Sequence, residues 1–115
     1  MSLPLMLEPI AVVTTTVGSA ADAQRLAQAA VQAREAACAQ IEAIASHYEW
    51  QGQLQSDAEW RIVFKTLAGA APRLLDWLQA QHPYEVPQLL LRTEQATPAY
   101  AAWVAAQVKN VSVEK

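Results

Sequence analysis

Two sets of side chains in this sequence have the chemistry to hold a ligand. Cys38 and His82 are candidate metal ligands. A thiolate is a soft donor that suits Cu(I), and a neutral imidazole binds Cu(II) and Zn(II). Each residue also has a plainer reading. A free cysteine is often a small buried hydrophobe. His82 stands before Pro83 at a predicted helix end, where a cationic ring would suit the helix dipole. His47, beside Tyr48 in a predicted strand, reads as a packed or rim residue. The second set is Glu59, Arg61 and Lys65. Side chains two apart on a strand share a face, so one acid and two bases are presented together. Such a face is commonly solvated. In an oligomer it can instead line a cleft between protomers, with Tyr48 and Glu49 joining it.

Composition removes several classes of function. The chain has one cysteine among 115 residues, Cys38, so it forms no internal disulfide and offers no zinc site with more than one of its own sulfurs. The net charge is −3 and the eight Lys and Arg are scattered singly. No basic stripe exists to follow a phosphate backbone, and a nucleic-acid partner is not expected. Hydrophobic residues make up 53% and charged residues 17%, against about 25% charged in ordinary globular domains. A membrane span would need an apolar run of roughly 18 residues, and none is present. A large surface buried in an oligomer is the remaining explanation. The first ten residues hold no Lys or Arg and two prolines, unlike the basic start of a secretory signal. They predict a cytoplasmic protein with flexible ends over 1–9 and 110–115.

The elements that must position these residues follow from periodicity. Ile10 to Thr16 is a β-branched run that reads as a buried strand. Gly18 and Ser19 end it, with Ser19 the N-cap of a helix and Asp22 in its first turn. Ala23, Leu26, Ala27, Ala30 and Val31 give that helix one apolar stripe, and it should end near Arg34 to Ala36. Ala37 to Trp50 alternates through Ile41 and restarts out of phase at Ile44. That slip predicts a β-bulge within a strand; the abundant alanine leaves a helix as the alternative. Gln51-Gly52-Gln53 is a turn signal. Asp57 to Thr66 alternates cleanly, with Trp60, Ile62, Phe64 and Thr66 on one side. Pro72 opens a second helix, which stops before His82-Pro83. Val86 to Thr93 is a short strand. Thr97-Pro98 caps and opens a last helix carrying Tyr100, Trp103, Val104 and Val108 on one face. The tryptophans at 50, 60, 77 and 103 are core or interface anchors.

The order is β-α-β-β-α-β plus a C-terminal helix, which predicts an α+β, ferredoxin-like sandwich as a single domain over residues 1–115. The second and third strands form a hairpin, and the other connections are right-handed crossovers. Both helices cover one sheet face. One short extra helix cannot cover all of the other, and partner sheets could. Small ferredoxin-like enzymes such as acylphosphatases need a glycine-rich loop with an arginine after the first strand. Thr16-Val17-Gly18-Ser19 has one glycine and no arginine. No Ser-His-Asp order, HExxH or Walker loop is present, so the chain reads as non-enzymatic with no required cofactor.

Several segments resemble the CutA family in order and spacing. They are VVTT at 12–15, AACAQI at 36–41, SHYEWQG at 46–52, the E-x5-KT of Glu59 to Thr66, HPYEVPQLL at 82–90, and Tyr100 to Trp103. The resemblance runs from about Ile10 to Val108. It implies a tight homotrimer related in architecture to PII-type signalling proteins. It also implies a role in tolerance of copper and other divalent cations. Copper or another divalent metal, weakly bound, or a small molecule or anion in a cleft between protomers are the implied ligands. The alternative is a structural or signalling module that affects metal tolerance indirectly. Three positions depart from the family pattern. Thr14 or Thr15 stands where some members have a cysteine, Glu35 replaces a frequent leucine, and Gln40 replaces the usual asparagine.

Overall fold

The computed structural model describes residues 6–111. The elements run β1 (Glu8–Val17), α1 (Ala20–Gln32), β2 (Cys38–Trp50), β3 (Gln53–Thr66), α2 (Ala71–Gln81), β4 (Leu90–Ala96) and α3 (Pro98–Gln107). The strands make one antiparallel sheet in the order β2-β3-β1-β4. This is the ferredoxin-like α+β arrangement, with α3 added.

The sheet is built around β1. Its apolar, β-branched residues from Ile10 to Val17 are all buried. Val13 and Val17 join Ile62 and Phe64 of β3 under α1 and α2, which contribute Leu26, Ala30, Leu74 and Leu78. On the opposite face Ile10 and Val12 are sealed by Ala101, Val104 and Val108 at α3. The helices start as the sequence dictates. The Ser19 hydroxyl accepts from the Asp22 N–H at 3.1 Å, and the Thr97 hydroxyl accepts from the Tyr100 N–H at 3.4 Å, each satisfying one orphan donor of a first turn.

The end of α3 is strapped to the α1–β2 connection. Arg34 donates to the Gln107 carbonyl at 3.0 Å and the Ala106 carbonyl at 3.2 Å. Glu35 is 3% exposed and pairs with Arg73 at 2.8 Å and with Lys109. Burial alone would raise its carboxyl, but hydrogen bonds from Lys109 and Arg73 outweigh that and hold it below the ordinary value. Arg73 also donates to the carbonyls of Lys109 and Asn110. A buried acid in place of leucine is therefore fully paired.

Several boundaries differ from the expectations, each for a local reason. The phase slip between Ile41 and Ile44 predicts a bulge, yet β2 and β3 pair in unbroken register from Cys38↔Lys65 to Trp50↔Gln53. Ile41 and Ile44 simply face opposite sides: Ile41 lies opposite the core residue Ile62 on the α1 side, while Ile44 lies opposite Glu59 on the other face, where β3 has no partner but β2. The turn between them is two residues, Gln51 and Gly52, with φ of 51° and 76°, as in a mirror-type hairpin turn. β3 therefore begins at Gln53 rather than Asp57. α1 ends at Gln32 because Arg34 takes a φ of 60°. β4 begins at Leu90 rather than Val86, since the preceding loop is drawn across the end of β1. Flexibility over 1–9 does not extend to Glu8 and Pro9, which pair with Ala96 and Gln95. Residues 1–5 and 112–115 lie outside the described residues.

Candidate functional site

The hairpin of β2 and β3 outruns the rest of the sheet. β3 pairs with β1 only from Trp60 onward; before that, β2 is its sole partner. A groove of about 760 Å³ lies between this ribbon and the loop after α2. Its strand wall is formed by Ile44, Ser46, Tyr48 and Trp50 with Glu59 and Arg61. Register explains their convergence: Ile44 pairs with Glu59, so the two residues and those two places along share a face. Tyr84, Glu85, Val86 and Gln88 form the loop wall.

Buried hydrogen bonds hold the loop in place. His82 is 9% exposed. Its Nδ1 accepts from the Tyr84 N–H at 3.0 Å, so Nδ1 carries no proton. Its Nε2 must then be the donor, to the Thr16 carbonyl at 3.0 Å and the Thr15 hydroxyl at 2.9 Å. The Thr15 hydroxyl donates onward to the Gln88 carbonyl at 2.7 Å. Burial pushes the His82 pKa down, with a smaller opposing effect from the Thr16 hydrogen bond, and the ring stays neutral. Tyr84 passes beside Gly18, where an added Cβ would stand 3.1 Å from the phenol oxygen. The phenol donates to Glu59 Oε2 at 2.8 Å. Burial first, then the Glu59 carboxylate, push its pKa up to about 12. Tyr48 donates to Asp57 Oδ2 at 2.6 Å, and that bond raises its pKa as well. Arg61 is already engaged with Glu42 at 2.9 Å.

Of the residues expected to line a cleft, Tyr48, Glu59 and Arg61 come together. Glu49 does not join them, because its neighbour Tyr48 points into the groove and adjacent strand residues alternate. Lys65 shares the face but sits at the far end, paired with Cys38 and donating to Gln40 Oε1 at 2.7 Å. Cys38 and His82 are not brought together within one chain. Cys38 lies in the row Cys38–Lys65–Val12 at the sheet's base. Its sulfur is 3.6 Å from the Tyr100 hydroxyl, and burial first, then this contact, push the Tyr100 pKa up to about 12. His82 is bonded over Thr15 and Thr16 toward the other end of β1. Among the described residues, no three His, Cys, Asp or Glu side chains are grouped to hold a metal ion. His47 is exposed and borders the groove. The expectations omit Tyr84 and Glu85, and treat Trp50 only as an anchor. The signal available was an aromatic and an acid between Pro83 and Pro87, a rigid loop pattern that favours presentation of side chains.

Similarity to known proteins can be set against this geometry. The sequence pattern of the family described as "CutA1 divalent ion tolerance protein" matches residues 11–107. Protein CutA of Mus musculus is 38% identical over 92 residues, 78% of this chain and 52% of the relative. This chain thus spans about half the length of the mammalian relatives it matches. The divalent-cation tolerance protein CutA of Thermus thermophilus is 37% identical over 95 residues, 81% of this chain and 92% of the relative. The solved structure of CutA from Synechococcus elongatus superposes with a TM-score of 0.88 at 38% identity, covering 92% and 96% of the two chains. The same cyanobacterial protein complexed with a Bis-Tris molecule matches with a TM-score of 0.82 at 37% identity, covering 93% and 100%.

Proposed function

The chain belongs to the CutA1 family of divalent ion tolerance proteins, and from that premise we propose that it is a non-enzymatic homotrimer. Clefts between its protomers take copper or another divalent metal ion, or a small ligand. The observation that carries this reading is the apolar surface left on both free edges of the sheet and on the hairpin. Trp50 is 64% exposed and Leu54 80%, and Leu90 and Leu91 on β4 are about half exposed. Isolated edge strands with such side chains invite pairing with another chain. The Bis-Tris complex of the Synechococcus relative supports a small-molecule site in this architecture. The lone unpaired Cys38 fits a reducing compartment, and the cytoplasm is the location proposed.

Sedimentation velocity tests the assembly: a trimer is expected, and a monomer at micromolar concentration overturns it. Copper titration of Cys38→Ala and His82→Ala tests direct binding. Weaker binding in Cys38→Ala is the expected result. A structural or signalling module of PII-like type, affecting metal tolerance indirectly, is the second reading. It is favoured by His82, whose ring nitrogens are both occupied by protein hydrogen bonds. Unchanged copper binding in both variants would select it.

A further inference from the structure

We infer that the groove beside the β2–β3 hairpin takes a small organic cation, an aliphatic ammonium compound, in preference to an anion or a bare metal ion. This rests on the reading of that groove as a ligand site. The walls come from two stretches of chain with a one-sided charge. From Glu35 to Trp60 the sequence holds Glu35, Glu42, Glu49, Asp57 and Glu59 and no Lys or Arg. From Leu74 to Leu91 it holds Asp76 and Glu85 and again no Lys or Arg. Arg61 is the one Lys or Arg in the lining, which also includes His47, and Glu42 pairs with it at 2.9 Å. Glu59 and Glu85 therefore set the charge of the groove, with Asp57 beside Glu59 on the same strand face. Glu59 is held in place by the Tyr84 hydroxyl at 2.8 Å and Asp57 by the Tyr48 hydroxyl at 2.6 Å. Each such bond uses one lone pair of a carboxylate that has about four, leaving acceptor sites for an N–H donor.

The remaining walls are aromatic. Tyr48, Trp50 and Tyr84 line the groove, and aromatic rings attract a cation through their quadrupoles, most strongly when the cation is weakly hydrated. A hard divalent ion needs six or more oxygens at close range, and the described residues group no three ligating side chains. An inorganic anion would face Glu59 and Glu85, and the one arginine in the lining is already paired with Glu42. A polyamine or hydroxylated amine uses both features, with ammonium groups on Glu59 and Glu85 and its methylene chain along the rings.

Titration of the full chain with spermidine, tetramethylammonium chloride, sodium phosphate and copper(II), followed by tryptophan fluorescence and heat, tests the assignment. Spermidine should saturate, with binding weakened by raised salt. Glu59→Gln keeps an oxygen for the Tyr84 hydroxyl and should weaken spermidine about tenfold, as loss of one charge-assisted contact does. Saturation by phosphate or copper with none by spermidine overturns the cation assignment and leaves the groove as a ligand site. No saturation by any probe removes both. Spermidine binding equal in wild type, Glu59→Gln and Trp50→Leu locates it elsewhere and also overturns the assignment.

Discussion

The first strand and the second are both rich in strand-forming and small apolar residues, yet their surroundings are opposite. Every residue of β1 from Ile10 to Val17 is buried, whereas β2 has no fully buried residue over its thirteen positions. β1 has a neighbour on each side and a helix layer on each face. β2 is an edge, and beyond Ala43 its only companion is a bare stretch of β3. Stability belongs to the first region and presentation to the second. The same comparison separates core side chains, whose partners are fixed, from groove side chains, which keep faces and lone pairs free.

Three measurements test this division. The largest effect should come from Phe64→Ala, which empties a fully buried site under α1 and α2. A loss of about 3–5 kcal/mol in denaturant unfolding is expected; a loss below 1 kcal/mol would mean that the base is not the stability centre. An intermediate effect concerns His82, which joins the two regions. Its folded pKa is lowered from the ordinary 6.5, so the unfolded chain binds the proton more readily. Stability is then fully present above about pH 6.5 and declines as pH falls through that value toward the lower folded pKa. Protonation of Nδ1 also sets a donor against the Tyr84 N–H, so the loop wall should loosen first. Hydrogen-exchange protection factors of Tyr84 to Gln88, corrected for the intrinsic rate at each pH, should be lower at pH 5 than at pH 8, and His82→Gln should flatten the difference; equal protection at both pH values refutes it. The smallest effect on folding should be Trp50→Ser, within about 0.5 kcal/mol by thermal unfolding. Its cost should appear instead as weaker self-association by sedimentation.

Legibility in the sequence followed the same division. Where a strand packs on a core, period two is enforced, and Trp60, Ile62, Phe64 and Thr66 were readable as one face. The caps at Ser19 and Thr97 were readable because they depend on residues three apart. Beyond the core, nothing penalises an apolar residue on either face, and Ile44, out of phase with Ile41, mimics a bulge that does not exist. The start of β4 was misplaced for a tertiary reason: Thr15 and His82, far apart in sequence, bind the 84–88 segment and hold it off the sheet. Tyr48, Glu59 and Arg61 could be grouped through hairpin register and alternation. Tyr84 could not, since its arrival depends on the path of a loop and on the absence of a side chain at Gly18. The pairing of Glu35 with Arg73 and Lys109 was equally hidden, because no local pattern links a loop, a helix and a C-terminal segment.

The central position of β1 has a consequence for synthesis. Of the four strands it is made first, but one of its edges is completed only by β4, through pairs running from Thr14↔Leu90 to Glu8↔Ala96. Until about residue 96 has left the ribosome, the most apolar strand of the chain has an open edge. Sequence-distant pairing of this kind is slow and exposes sticky backbone while it waits. Nascent chains stalled before β4 should therefore be the species most dependent on chaperones.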